Sequence, residues 1–288
     1  MPAEIYALAT AFFSALHTVL TKKGLRYSNP ATAVITSLVI NMVVLWGVSL
    51  LFVPLESLNS PGILIFVLVG LFQPGLTRLL TYKGIESLGV AVADPIRATT
   101  PLFSALLAIL LLGESMTLPV FWATALIIAG ITLLSHRGGS IQRVRFLYIL
   151  YPISASLLAG FSQVLRKFGL GAVPHPFLAA AVTASSSLGV SLLTLWISGG
   201  GKETLLLNRG CLPFYLSAGV AVSIGMVSIY YALDLGKVTV VTPISSTAPL
   251  FALSLSAIFL RDVEQVTMKI VLGACLIIAG VLLITLWK

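Results

Sequence analysis

The decapeptide DPIRATTPLF at Asp94–Phe103 recurs as TPISSTAPLF at Thr242–Phe251, with six of ten residues identical at a shift of 148. Farther on, LIIAG at Leu126–Gly130 returns unchanged at Leu276–Gly280. A chain of 288 residues that repeats itself near its midpoint is two related halves, so its fold must be one that can be built twice. Both copies are strongly apolar: apolar residues make up 58% of the chain and charged residues 9%, against roughly 25% charged in a soluble domain. With a mean hydropathy of +1.07, an internal repeat points to a membrane protein with a pseudo-symmetry axis, an architecture shared by many solute carriers.

Runs of roughly 20 mostly apolar residues, the length a helix needs to cross a bilayer, alternate with Pro, Gly or charged residues. They predict spans at Ile5–Thr21, Ala31–Val53, Gly62–Tyr82, Val90–Leu112 and Pro119–Leu134, then Phe146–Leu165, Phe177–Ile197, Leu212–Leu233, Val238–Leu260 and Thr267–Leu286. The connector His136–Arg145 is the linker-like stretch, dividing a first repeat, 1–138, from a second, 139–288. The repeated decapeptide falls in the fourth and ninth spans, so the duplicated unit is five helices long. An odd number of crossings starts the second copy on the other side of the bilayer and inverts it. VLTKKGL at Val19–Leu25 parallels VLRKFGL at Val164–Leu170, which aligns the first and sixth spans as well. The expected fold is all-α: ten transmembrane helices as two inverted five-helix repeats, mirror-oriented bundles enclosing a wet, positively biased chamber midway through the lipid.

The net charge of +8 is not a nucleic-acid footprint, because the basic residues sit between apolar runs as topology signals. Cys211 and Cys275 lie far apart, which gives neither a disulfide framework nor metal-ligand spacing. The first apolar run has Lys22 and Lys23 behind it and no basic segment ahead. That charge order is the reverse of a signal peptide's and predicts a retained first span. The nucleotide-binding pattern Gly-x-x-x-x-Gly-Lys-Ser/Thr is absent, so any transport would draw on a proton or sodium gradient, on exchange, or on the solute's own gradient. No cofactor is implied.

The residues also carry a family likeness over nearly the whole chain. Tyr82 and Tyr230 close the third and eighth spans, Pro101 and Pro249 interrupt the fourth and ninth, Leu112-Gly113-Glu114 follows the fourth, and Gly130 and Gly280 close the fifth and tenth. In these features the chain resembles the ten-helix EamA-like members of the drug/metabolite transporter superfamily. It departs from them at Leu260-Arg261-Asp262, where Leu-Gly-Glu is common. The resemblance implies a multi-pass protein of the cell (plasma or inner) membrane that moves a small molecule, often outward. Members carry amino acids, nucleosides, sugar phosphates, amines and toxic compounds. The resemblance also makes Glu114 and Asp262 structural loop acids.

Charges at membrane depth cost roughly 2.5–3.5 kcal/mol each, so those that persist usually have a role. Arg78 in the third span and Asp94 and Arg97 in the fourth approach the middle of the bilayer, where one carboxylate cannot neutralise two guanidiniums. An anionic group on a substrate would complete the set, gripped bidentately by arginine. At the shift of 148 the three become Met226, Thr242 and Ser245, so the fold itself does not demand charge there. The competing reading is mutual neutralisation of Asp94 and Arg97 at helical spacing, with Arg78 snorkelling to its helix end.

Proline supplies a backbone element. Pro101 deprives the Arg97 carbonyl of its helical partner, and Pro249 does the same to Ser245. Freed carbonyls at that depth must face protein, water or ligand. Both are expected to point at a central cavity, one copy offering Arg97 and the other Ser245, Ser246 and Thr247. Pro95 and Pro243 precede these breaks, and Gln73-Pro74-Gly75 interrupts the third span without a counterpart in the eighth. Gln163 and Tyr230 are further cavity candidates, although a tyrosine at a span end is equally an interface anchor. His17 is a candidate proton relay, against the blander reading of a satisfied hydrogen-bonding group.

The orientation signals disagree. Odd-numbered loops carry eleven Lys or Arg residues, against four (Arg166, Lys167, Lys237, Lys288) on the face that holds both termini. The positive-inside rule alone puts the termini outside, whereas the family resemblance implies termini in the cytoplasm. The function expected is secondary transport of a small polar organic metabolite, amino-acid-like or an organic anion, probed against two rivals. A multidrug or lipophilic-cation exporter of the same fold would want an unpaired acid, and a membrane-embedded enzyme would want a clustered His/Asp/Cys set that His17, His136 and His175 do not form.

Overall fold

In the computed structural model, residues 2–135, 146–197, 206, 208–259 and 268–287 are described. Thirteen α-helices run in chain order: α1 (Pro2–Gly24), α2 (Pro30–Phe52), α3 (Ile63–Gly70), α4 (Thr77–Leu88), α5 (Val90–Arg97), α6 (Thr100–Leu112), α7 (Leu118–Ser135), α8 (Phe146–Ala172), α9 (Pro176–Ile197), α10 (Leu212–Leu235), α11 (Val238–Ser245), α12 (Ala248–Phe259) and α13 (Met268–Trp287). Among the described residues nine segments are long and apolar enough to cross a membrane, with the shorter apolar helix at Leu118–Leu134 as a tenth. The third span is α3, a π-helical turn Leu71–Leu76 and α4; the fourth is α5 with α6, and the ninth α11 with α12. The chain is a multi-pass membrane protein. The connector His136–Arg145, the 138/139 division and Leu260-Arg261-Asp262 fall outside the described residues.

Local sequence explains the helix ends. Asn29 caps α2 by accepting from the Thr32 amide at 2.9 Å, with Pro30 preset at the first helical position. Lys22 and Lys23 occupy the last turn of α1, where cations oppose the exposed carbonyl dipoles. The hairpin between α4 and α5 turns on Gly89 at φ +77°, a conformation that a side chain would strain.

The two repeats do not form separate bundles. The most extensive helix pairings, α1 with α10, α7 with α13, α2 with α9, and both α4 and α6 with α8, join one half to the other. The reason lies in side-chain size. Ala3, Ala7, Ala11, Ala15 and Val19 recur every fourth residue on one face of α1, and all are buried. Small faces let backbones approach where lipid supplies no hydrophobic drive. In the α7–α13 pair, a Cβ on Gly130 would lie 2.6 Å from the Gly273 carbonyl oxygen, and one on Gly280 would lie 2.7 Å from that of Ala123. The core is therefore the seam between the halves, and the expected pair of mirror bundles is instead a single interleaved one.

Candidate functional site

Three interruptions of helix build the site. Pro74 cannot donate to the carbonyl of Gly70, and Gln73 leaves the helix at φ −135°, ψ 119°. The Gly70 carbonyl and two others of α3 find partners on α9: Thr183 donates to Phe66 O at 3.2 Å, Ser186 to Val67 O at 2.8 Å and Ser187 to Gly70 O at 3.4 Å. A serine-rich helix thus stabilises a break that would otherwise leave polar backbone in an apolar medium. α10, the copy of the third span, runs unbroken from Leu212 to Leu235.

The fourth and ninth spans break at equivalent places, after Arg97 and after Ser245, and resume at Thr100 and Ala248. Pro101 lies in the first turn of α6. Hydroxyls bond back onto the Arg97 carbonyl, one of the two freed by the prolines, and onto carbonyls of α11 nearby. Thr100 donates to Arg97 O at 2.8 Å and Thr247 to Ile244 O at 2.7 Å, while Ser245 and Ser246 both reach Thr242 O, at 3.0 and 2.8 Å. Short hydroxyl side chains commonly back-bond in this way. With their protons spent on Thr242 O, the Ser245 and Ser246 oxygens are left as acceptors.

A cavity of about 590 Å³ lies between the halves at mid-depth. Its wall holds His17, Pro74, Arg78, Asp94, Arg97, Gln163, Ser245, Ser246 and Pro249, so spacing in the sequence does bring these residues together. Met226 and Thr242, the copies of Arg78 and Asp94, line it too. Thr247 and Tyr230 do not: the Thr247 hydroxyl is spent on Ile244 O, and Tyr230, fully buried, bonds Thr183 and meets Phe66 edge-on. Pro95, Pro101 and Pro243 sit in the backbone behind the wall rather than on it.

Arg97 and Asp94 approach to 3.7 Å, with the arginine side chain 46% exposed. The i, i+3 pairing that competed with a ligand role is thus present, though loose. Arg78 has a buried Nη1 without a hydrogen-bond partner, and no ion pair with it is found among the described residues. His17 Nδ1 lies 3.1 Å from Ala218 O, which fixes the proton on Nδ1 and leaves Nε2 for other contacts. This is the bonded histidine of the blander reading, although it stands on the wall.

Sequence reasoning missed Arg166. The sixth span was expected to end at Leu165, which put Arg166 in a loop, whereas α8 continues to Ala172. Arg166 is therefore inside the protein and 7% exposed. Its Nη1 donates to Gln163 Oε1 at 3.0 Å and its guanidinium lies 5.5 Å from the Tyr230 ring. The apolar Phe168 and Leu170 beyond it were the available signal. Asn41 was missed as well; it accepts from Ser223 at 2.9 Å and donates to Met226 Sδ. Among the described residues no group of three or more His, Cys, Asp or Glu could hold a metal.

At the face bearing the termini, side chains tie helix ends together. Both oxygens of Glu114, just past α6, accept from the first amides of α11, Val238 at 2.8 Å and Thr239 at 3.0 Å, a carboxylate on a helix N-terminus. Lys167 donates to the carbonyls of Leu233, Asp234 and Gly236 at the end of α10. α11 is buried from Val238 to Ile244, while its copy α5 keeps Asp94, Pro95, Ile96 and Arg97 partly exposed.

Comparison with known families matches residues 1–136 and 146–286 to the EamA-like transporter family. An uncharacterized transporter of Archaeoglobus fulgidus is 25% identical over 244 residues, 82% of this chain and 83% of that one. An uncharacterized protein of Methanocaldococcus jannaschii is 34% identical over 85 residues, and the match spans 30% of this chain and 61% of that relative. One crystal structure superimposes with a TM-score of 0.82 over 99% of this chain and 96% of its own, at 16% identity, a likeness of fold alone.

Proposed function

The chain belongs to the EamA-like transporter family, and from that premise we propose that it is a secondary transporter exporting a small polar organic metabolite, an organic anion or an amino-acid-like compound. The observation that carries this reading is the cavity between the halves, whose wall bears three arginines and one aspartate. A guanidinium in a low-dielectric wall binds a carboxylate through charge-assisted hydrogen bonds, and Arg78 keeps a buried donor without a partner. The acceptor oxygens of Ser245 and Ser246 suit a hydroxyl or ammonium on the same molecule.

Alternating access follows from the break points. The short helices α5 and α11 are hinged to α6 and α12 and flank the cavity from opposite faces. With α11 clamped by Glu114 and α5 partly exposed, the conformation corresponds to closure at the face of the termini. Inversion of the repeats supplies the reciprocal state, in which α5 packs and α11 loosens. A proton or sodium gradient would drive the cycle. The termini are assigned to the cytoplasm, as the family likeness implies; a C-terminal reporter active only outside the cytoplasm would reverse that assignment.

The test is uptake into proteoliposomes across acidic, neutral and cationic solutes, comparing wild type with Arg97→Ala. Transport of anions that survives the substitution unchanged removes Arg97 from the site. Preference for lipophilic cations would instead favour the multidrug reading, against which Asp94 already stands engaged with Arg97.

A further inference from the structure

The cavity has two cationic poles rather than one. Arg97 and Arg78 stand about 11 and 15 Å, seven and ten residues, from the ends of α5 and α4 on the face opposite the termini at a 1.5 Å rise. Arg166 stands about 9 Å, six residues, from the end of α8 on the face of the termini by the same rise. Asp94, the acid on the wall, lies with the first pole and is paired to Arg97. No ion pair with Arg166 is found among the described residues. Its Nη1 is held by Gln163 and its face by Tyr230, which fixes its aim, yet its Nε is buried without a partner. A buried guanidinium that is held in place but left uncompensated is costly unless something anionic completes it. On the same cavity wall Thr242 Oγ1 is likewise buried and unbonded.

We infer that Arg166 is the second anchor of the transport site, and that the substrate is an organic dianion with its two charged groups at opposite ends, of the α,ω-dicarboxylate kind. One carboxylate takes the pole of Arg78 and Arg97, while the other takes Arg166 Nε with Thr242. Three guanidiniums against one carboxylate leave an excess of two positive charges on the wall, which such a ligand neutralises. A monoanion satisfies one pole only, and a phosphate monoester, with both charges on one group, also fills only one. This inference rests on the cavity being the transport site.

The purified protein in lipid nanodiscs is titrated calorimetrically with glutarate, butyrate, glycerol 3-phosphate and butylamine. Glutarate is expected to bind wild type about tenfold or more tighter than butyrate, the worth of one further charge-assisted contact. Arg166→Gln should erase that margin while leaving butyrate within about twofold, and Arg166→Lys should restore part of it. The inference is overturned if glutarate and butyrate bind wild type alike, if glycerol 3-phosphate matches glutarate, or if Arg166→Gln weakens both carboxylates equally, as a merely structural cation would. Should Arg166→Gln fail to fold, the wild-type comparison decides alone. Equal binding of the two carboxylates, both lost in Arg97→Ala, sinks the dianion while leaving the transport reading intact; binding of butylamine alone removes both.

Discussion

The two halves build one cavity wall from unlike materials. At the shift of 148, Arg78, Asp94 and Arg97 of the first half stand where the second half has Met226, Thr242 and Ser245, and all six residues line the cavity. In the first and sixth spans the bias reverses: VLTKKGL against VLRKFGL sets Thr21 opposite Arg166. The backbone is therefore content with either chemistry at each place. What symmetry leaves free has been used to distribute charge, and the proposed binding role rests on that difference.

Where the halves agree, the agreement is mechanical, and breaking it has the largest expected effect. Gly130 and Gly280 each face backbone of the opposing helix too closely for a side chain. Gly130→Val and Gly280→Val should each destabilise the protein by about 3 kcal/mol, read as loss of folded protein on thermal denaturation in detergent. Strongly unequal losses would show that the seam is less symmetric than its glycines.

Copying the second half into the first probes the difference itself. The double variant Arg78→Met, Arg97→Ser installs residues the fold already accepts, so its melting should stay near wild type. Its affinity for a carboxylate solute should fall by about 1.5–3 kcal/mol, roughly 10- to 150-fold. Retained affinity would mean the charge asymmetry has nothing to do with binding.

The clamp on α11 has an expected weight of about 1–2 kcal/mol, a cap plus its charge on a helix N-terminus. In a chain with Cys211 and Cys275 replaced by alanine, a cysteine placed at buried Val241 should react with an impermeant maleimide about 5- to 30-fold faster once Glu114→Ala is added. An unchanged rate would show that Glu114 does not hold that face closed. The smallest effect is expected at Thr247. Its hydroxyl bonds Ile244 O, so Thr247→Val should alter solute binding by less than about 0.5 kcal/mol, while Ser245→Ala should alter it more.

Much of this was legible in the chain. The duplicated decapeptide located both broken helices, and the span lengths located the rest, because a bilayer imposes one length on every crossing. The cluster of Arg78, Asp94 and Arg97 could be read from depth alone. What escaped had physical causes. Arg166 was lost because a charged pair, Arg166-Lys167, looks like the end of a span, whereas α8 extends past it. The interleaving of the halves was hidden because small residues every four positions on α1 reveal a close neighbour but not which one. The bonding of the carbonyls near the breaks escaped because hydroxyls three or four residues away compete for them, a contest settled by geometry rather than composition.

Arg166 and Lys167 are consecutive, so their side chains leave α8 about 100° apart. One reaches into the chamber, while the other grips the joint between α10 and α11. α8 thus joins the cavity wall to the corner between α10 and α11 through two adjacent residues of one rod.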